Sequence, residues 1–254
     1  MAADVVAIAH RGASGVLPEN TKHAFVKAID LGAAAIEFDV QLTLDEVPVV
    51  IHDETLERTT NGEGRVGDMG FDELGKLDAG SWFGASFARV EVPTLDEVLA
   101  TIGGRVVLNV ELKPDHRIEA LVKHAITVVA RRDLLDSVVF SSFDTDAVKL
   151  VRQHVPEARI GVLCTPGRLE PALALAGHVG AETIHPAVAM VDSELIARAH
   201  EQGWKVWAWT ANEPGEIALL TALGVDGIFS DYPDRVVAIA RSGPTALSRQ
   251  RRLG

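Results

Sequence analysis

The sequence predicts an α/β protein, a (β/α)8 TIM barrel with a small insertion after the second strand. Three observations point there. Short β-branched runs alternate with helical patterns, as they do in βαβ units that build a parallel sheet. Eight strand-like runs of this kind can be counted along the chain. The 254 residues also match a length at which a closed barrel is a common single domain.

The elements follow in a regular order. Val5–Ala9 is the first strand, Asn20–Leu31 the first helical pattern and Ala35–Asp39 the second strand. There the rhythm breaks. Val47–Ile51 reads as an extra strand, and Asp53–Val92 is rich in Gly, Asp and Glu without a clear helix before Thr94. A compact insertion at the C-terminal end of a barrel strand sits above the barrel mouth, where active-site lids are built. Alternation resumes with Thr94–Thr101 and Val106–Glu111, Arg117–Arg131 and Val138–Ser141, then Thr145–His154 and Arg159–Leu163. The last units are Arg168–Ala176 with Thr183–His185, Ser193–Gln202 with Lys205–Trp209 and Pro214–Leu223 with Gly227–Phe229, followed by helix Pro233–Arg241. Asp144, Asp192 and Asn212 stand where helix N-caps are expected. Right-handed crossovers between parallel strands leave a closed barrel as the natural solution. No linker, solenoid period or low-complexity tract divides the chain. Residues 1–254 are therefore expected to form one domain, with the insertion at about 53–92.

Composition narrows the function classes. Apolar residues make up 47% and charged residues 24%, ordinary values for a globular protein. A formal net charge of −12 argues against a general binder of nucleic acid or anionic membranes, which repel an acidic protein. The basic stretch Arg249-Gln250-Arg251-Arg252, in the tail 243–254, is the local exception and reads as a solvated, frayed terminus. The single Cys164 excludes an internal disulfide and a multi-cysteine zinc site, and reads as a small strand-end hydrophobe. No run is long enough to span a bilayer, so stable membrane insertion is not expected. Met1-Ala2-Ala3-Asp4 lacks the features of a signal peptide, which makes a cytoplasmic location the expectation.

Strand periodicity places the chemistry. Residues i and i+2 share a face, so Glu37 and Asp39 point together, as do Glu111 and Lys113 on the neighbouring strand. Three carboxylates from adjacent strands form an oxygen-only set that suits one divalent cation, Mg²⁺ or Ca²⁺, and suits zinc poorly. A single buried carboxylate is explained equally well by a salt bridge. Three converging ones repel unless a cation joins them. His10 closes the first strand and His52 the Val47–Ile51 run. Either alone is an ordinary strand-end histidine, but beside a carboxylate cluster the pair reads as a proton acceptor and donor. Arg11 and Lys113 add fixed positive charge of the kind that holds phosphate oxygens. With a dication among the carboxylates, the set carries one net positive charge, which a phosphodiester monoanion neutralises. These residue types together point to an enzyme acting on phosphodiesters.

The residues also form an ordered series that resembles the glycerophosphodiester phosphodiesterase family. His10-Arg11-Gly12 through Pro18-Glu19-Asn20-Thr21 matches its opening motif, followed by Glu37-Phe38-Asp39, His52-Asp53 with Arg58-Thr59-Thr60-Asn61-Gly62, and Glu111-Leu112-Lys113. Ser142-Phe143, Trp209-Thr210-Ala211-Asn212 and Gly224-Val225-Asp226-Gly227 carry the likeness to the last strand. The resemblance implies hydrolysis of small-molecule glycerophosphodiesters to an alcohol and sn-glycerol 3-phosphate. It implies His10 and His52 as the acid/base pair, and Glu37, Asp39 and Glu111 as metal ligands. Arg11 and Lys113 would hold phosphate, and Glu19 and Asn20 would support the site or touch ligand. Phe143 and Trp209 would pack on the glycerol carbons, although an ordinary core role explains Phe143 as well. It further implies attack by the substrate's own 2-hydroxyl and a cyclic phosphate. One departure is Glu46, in a turn where the family commonly has glycine, so a differently shaped hairpin is expected there.

Two other readings accompany this one. A lysophospholipase D would keep the site and add an apolar channel, which Met69, Phe71, Leu74, Trp82, Phe83 and Phe87 could line; their simpler reading is the insertion's own core. A non-catalytic binder of phosphoryl ligands has no need of two histidines and a dication together.

Overall fold

A computed structural model describes residues 5–242. The basic tail and the first four residues lie outside the described residues. β1 (Val6–His10), β2 (Ala35–Leu42) and, beyond a hairpin, β3 (Pro48–Val50) open the chain. β4 (Val107–Leu112), β5 (Val138–Ser142), β6 (Arg159–Cys164), β7 (Thr183–Pro186), β8 (Lys205–Ala208) and β9 (Gly227–Ser230) follow. All but β3 are parallel and hydrogen-bonded in sequence order, and β9 and β2 both pair with β1, so the ring closes. β3 hangs outside it, antiparallel to β2.

The helices are α1 (Lys22–Asp30), α2 (Phe71–Leu74), α3 (Leu95–Ile102), α4 (Ile118–Arg131), α5 (Thr145–His154), α6 (Leu169–Val179), α7 (Ser193–Glu201), α8 (Pro214–Leu223) and α9 (Pro233–Ser242). Alternation along the strands divides the core into two layers. Ile36, Phe38, Val40, Leu108, Val110 and Phe140 belong to the large cluster that includes the helices' apolar faces. Ile8, Ala35, Val139, Trp207 and Phe229 form a smaller cluster of their own. Trp207 lies within this inner layer, stacked on His185 with ring centroids 5.3 Å apart. Burial pushes the His185 imidazole down to about 3, so it is neutral at physiological pH. Burial likewise pushes the Cys164 thiol up to about 12, in keeping with an inert hydrophobe.

Local chemistry sets the helix starts. Thr94 and Glu97 form a reciprocal capping box on α3. Asp144 and Asp192 cap α5 and α7 as expected. Asn212 does not cap α8, which starts from Glu213 with Pro214 in its first turn. The Asn212 amide is instead drawn to the end of β9, donating from Nδ2 to Asp231 Oδ2 at 2.6 Å and accepting from Asp231 N at 2.9 Å. A long-range partner outweighs the local cap.

The insertion is more ordered than its composition suggests, with α2 and two 3₁₀ turns, Val66–Asp68 and Ala85–Phe87. Val49, Ile51, Leu56, Val66, Leu74, Ala79 and Val92 form its core, with Met69 and Phe71 packed against it. Trp82, Phe83 and Phe87 make a separate edge-to-face set. In the β2–β3 hairpin Glu46 adopts a left-handed φ of 60°. The turn therefore takes the shape a glycine would allow, at the small cost such a backbone imposes on a side chain.

At the N-terminal end of the barrel, Glu182 joins three strands. Its carboxylate accepts from Arg159 of β6 at 2.7 and 3.0 Å and from Lys205 of β8 at 3.0 Å. The Arg159 hydrogen bond outweighs burial and, with Lys205, holds Glu182 down to about 2. A folded-state pKa below the unfolded value means that this stabilisation is full above about pH 4.3 and fades as the pH falls toward 2. Glu182→Gln is expected to cost about 1–2 kcal/mol at pH 7 after allowance for solvent screening. Thermal melts should show that difference shrinking as the pH falls from 5 toward 2; a constant difference would contradict the assignment.

Candidate active site

Strand register brings the acidic groups together. Glu37 of β2 lies beside His10 of β1 and Asn109 of β4, and Asp39 lies beside Glu111. These residues sit toward the C-terminal ends of their strands, where barrel active sites form. One oxygen from each of Glu37, Asp39 and Glu111 lies within 4.8 Å of the others, and all three residues are buried. Lys113 Nζ is 3.0 Å from Glu111 Oε1 and 3.4 Å from Asp39 Oδ1.

Like charges at this spacing leave a mark. Burial pushes the Glu37 carboxyl well above its usual range, and repulsion from Asp39 and Glu111 adds to it. Glu111 is raised by burial and by Asp39. Burial acts on Asp39 too, but Lys113 and Arg11 outweigh it and hold that group below its usual value. Glu37 Oε1 is buried without a hydrogen-bond partner, which a protein interior rarely tolerates. An unmatched oxygen in a close, all-carboxylate set fits a hard divalent cation.

The turn after β1 places the arginine. Arg11 and Gly12 both have left-handed φ, 56° and 82°. A Cβ on residue 12 would come within 2.8 Å of the Ala24 backbone, so only glycine passes. The turn directs Arg11 N to Glu37 Oε2 at 2.9 Å and Nη1 to Glu19 Oε1 at 2.9 Å. Its Nε lies 3.4 Å from Asp39 Oδ2. Asn20, buried, donates from Nδ2 to the same Asp39 oxygen at 2.9 Å.

Each histidine is backed by a carboxylate. His10 Nδ1 lies 2.7 Å from Asp231 Oδ1, which also accepts from Ser14 Oγ at 3.0 Å. Burial alone would raise Asp231, but hydrogen bonding from His10, Asn212 and Ser14 brings it down to about 2. His52 Nδ1 lies 2.6 Å from Asp53 Oδ1. Arg58, hydrogen-bonded to Asp53, holds that carboxylate at about 2. Burial lowers the His52 imidazole below its ordinary value, against the pull of Asp39.

Further groups anchor the His52 segment. Gln41 continues the inward face of Glu37 and Asp39 by two residues, and its Nε2 lies 3.0, 3.1 and 2.7 Å from the carbonyls of Ile51, His52 and Asp53. Arg58 spans from Asp53 to Glu19, at 2.8 Å on both Glu19 oxygens. Glu19 thus sits between two guanidiniums, and an alternating chain of charge runs from Arg11 to His52.

Above these groups lies a pocket of about 260 Å³. His10, Arg11, Glu37, His52 and Glu111 form its polar part; Phe143, Leu163, Trp209 and Phe229 form its apolar part. Phe143 and Trp209 meet edge to face at 5.6 Å, and the indole donates to His185 O at 2.7 Å. Asp39, Lys113, Glu19 and Asn20 are not in the lining and support it from behind. Sequence reasoning missed Gln41, Asp231, Ser14 and Asn212 as parts of the site. Gln41 had a signal, the i, i+2 series carried one step further. The pairing of Asp231 with His10 spans 221 residues and follows from barrel closure.

Comparison with known proteins agrees with this frame. The profile of the glycerophosphoryl diester phosphodiesterase family matches residues 10–235. A glycerophosphodiester phosphodiesterase of Caldanaerobacter subterraneus subsp. tengcongensis is 39% identical over 238 residues, covering 93% of this chain and 98% of that protein. One from Bacillus altitudinis is 36% identical over 236 residues, covering 91% and 96%. Among solved structures, an Oleispira antarctica phosphodiesterase in complex with the product sn-glycerol-3-phosphate aligns with a TM-score of 0.88 at 32% identity, covering 95% of this chain and 98% of that one. Fold and matches define the class, a TIM-barrel phosphoric diester hydrolase. Within it, the chain belongs to the glycerophosphoryl diester phosphodiesterase family.

Gln41→Leu should release the His52 segment while leaving the acidic cluster in place. Because a misplacement of about 1 Å can cost about a hundredfold in rate, kcat for diester hydrolysis should fall about 10- to 100-fold. Steady-state kinetics check this, and a wild-type kcat in a folded Gln41→Leu variant would contradict it.

Proposed function

We propose that this chain is a metal-dependent glycerophosphodiester phosphodiesterase that releases sn-glycerol 3-phosphate and an alcohol. The observation that carries the reading is the unmatched Glu37 Oε1 within a buried acidic trio, facing a pocket flanked by two carboxylate-backed histidines. Glu37, Asp39 and Glu111 hold one divalent cation, Mg²⁺ or Ca²⁺. When bound, it supplies Lewis-acid stabilisation of charge on the phosphoryl oxygens.

The chain's own residues do the rest. Arg11, with Lys113 behind it, draws the phosphodiester anion to the polar part of the pocket. Trp209 and Phe143 take the glycerol carbons, and Glu19 and Asn20 keep Arg11 and Asp39 in place. His52, whose protonated form burial disfavours, accepts the proton of the glycerol 2-hydroxyl. The freed oxygen bonds to phosphorus as the bond to the alcohol oxygen breaks, and His10 gives that oxygen a proton from Nε2 while Asp231 fixes its ring through Nδ1. Water then opens the cyclic phosphate with the two histidines in reversed roles.

The described chain acts as one catalytic domain, with His52 at the entry to the insertion. Net charge of −12 supports a small-molecule substrate over nucleic acid, and no helix among the described residues is long and apolar enough to cross a membrane. A cytoplasmic setting completes the reading. A lysophospholipase D is not favoured, because the residues that would line its acyl channel pack on the insertion itself, Leu74, Met69 and Phe71 in its core and Trp82, Phe83 and Phe87 on one another.

With purified protein and glycerophosphodiester, chelator should abolish release of glycerol 3-phosphate and either Mg²⁺ or Ca²⁺ should restore it. His10→Ala and His52→Ala should each lose at least about a hundredfold in kcat while melting cooperatively. Activity that survives both substitutions would remove the two histidines from the acid/base role. A 2-deoxyglycerol diester should release no alcohol; turnover equal to that of the parent would remove the cyclic intermediate from the mechanism.

A further inference from the structure

A second space opens beside the pocket. A groove of about 400 Å³ lies over the loops that follow β5 and β6, and Phe143 and Leu163 line both it and the pocket. The two spaces therefore adjoin across these side chains. Phe143 is 40% exposed, so it stands at the rim rather than in a wall. The floor of the groove is apolar, with Leu163 and Leu175, and it also carries Thr145, Thr165 and Arg168. No carboxylate lines it.

Arg168 is set apart by its lack of partners. Arg152, Arg159 and Arg198 on adjoining elements are each bound to carbonyls or carboxylates. Arg168 makes neither an ion pair nor a side-chain hydrogen bond among the described residues, and it is exposed. A solvated arginine is ordinary on an open surface. This one shares a walled groove with the pocket that holds the reacting phosphorus. Guanidinium and threonine hydroxyls all donate hydrogen bonds, so the groove favours a ligand rich in acceptor oxygens. A quaternary ammonium would find the opposite of what it needs. Such groups are held by several aromatic faces, whereas here one ring, Phe143, stands beside an unneutralised positive charge.

We propose that this groove binds the leaving alcohol of the diester, and that Arg168 makes the enzyme prefer hydroxyl-rich or anionic alcohols, of the glycerol and inositol kind, over choline. The assignment rests on the diesterase reading above. It places glycerol phosphate in the inner pocket, with its carbons against Trp209 and the inner edge of Phe143, and sends the alcohol over the outer edge of Phe143 into the groove.

The test compares three diesters of sn-glycerol 3-phosphate, with inositol, choline and ethanol as the alcohols. The ethyl group carries no hydroxyl or charge for Arg168 to bind. For Arg168→Glu, kcat/KM on the inositol diester should fall about tenfold through KM, as loss of a charge-assisted hydrogen bond implies. On the choline diester it should rise, and on the ethyl diester it should not change. Arg168→Lys should recover most of the inositol activity. Equal effects on all three diesters would overturn the proposal, and so would a changed inhibition constant for sn-glycerol 3-phosphate, which would put the groove on the glycerol side of phosphorus. Wild-type protein that hydrolyses none of the three would overturn the diesterase reading itself, and the groove assignment with it.

Discussion

The repulsion among Glu37, Asp39 and Glu111 is the constraint around which the mouth of the barrel is arranged. Two adjacent strands in fixed register leave these carboxylates no way to separate, because moving either strand would break a ladder that runs from Ala35↔Val107 to Val40↔Leu112. Stability comes from the apolar layers beneath and around them, so the cluster can be held at some cost. Lys113 and Arg11 settle the charge of Asp39 but leave Glu37 unmatched. That imbalance gives the trio the character of a set that could hold a cation rather than that of a closed salt bridge.

The two histidines are held by different kinds of structure. His10 belongs to a strand, and its carboxylate partner comes from the residue after β9, so closing the barrel and orienting the imidazole are one event. His52 lies beyond β3, in a segment with no ladder of its own. Three devices compensate: Gln41 holds its backbone, Asp53 holds its ring and Arg58 ties Asp53 to Glu19. Glu19 contacts Arg11 as well, so the insertion and the β1 turn are linked electrostatically. Strands carry the charged cluster, and the segment between β3 and the insertion carries the second imidazole.

Beneath the pocket, His185, Trp207 and Phe229 pack as an aromatic plug. With His185 neutral and Trp209 fixed to its carbonyl, the apolar part of the pocket has a firm base. The polar and apolar parts therefore come from different sectors of the ring, an arrangement suited to a substrate with a charged centre and a carbon skeleton. The fork at Arg58 and the groove at Arg168 show two uses of the same side chain. One is neutralised and structural, the other lacks partners and is exposed.

By itself the sequence determined the barrel, because alternating strand and helix periods leave few other closed packings for eight units, and it determined the pairing of Glu37 with Asp39, because i and i+2 on one strand must share a face; the register of β2 on β4 brought Glu111 to them. His10, His52, Arg11 and Lys113 were legible for the same local reason, lying one or two residues from a strand end. Only the tertiary structure decided that Asp231 backs His10, that Asn212 leaves a helix start to hold Asp231, that Glu19 lies between two arginines and that Arg168 borders the pocket. Those contacts join residues far apart in the chain, and their distances follow from closing the ring and seating the insertion on it, which local periodicity does not encode.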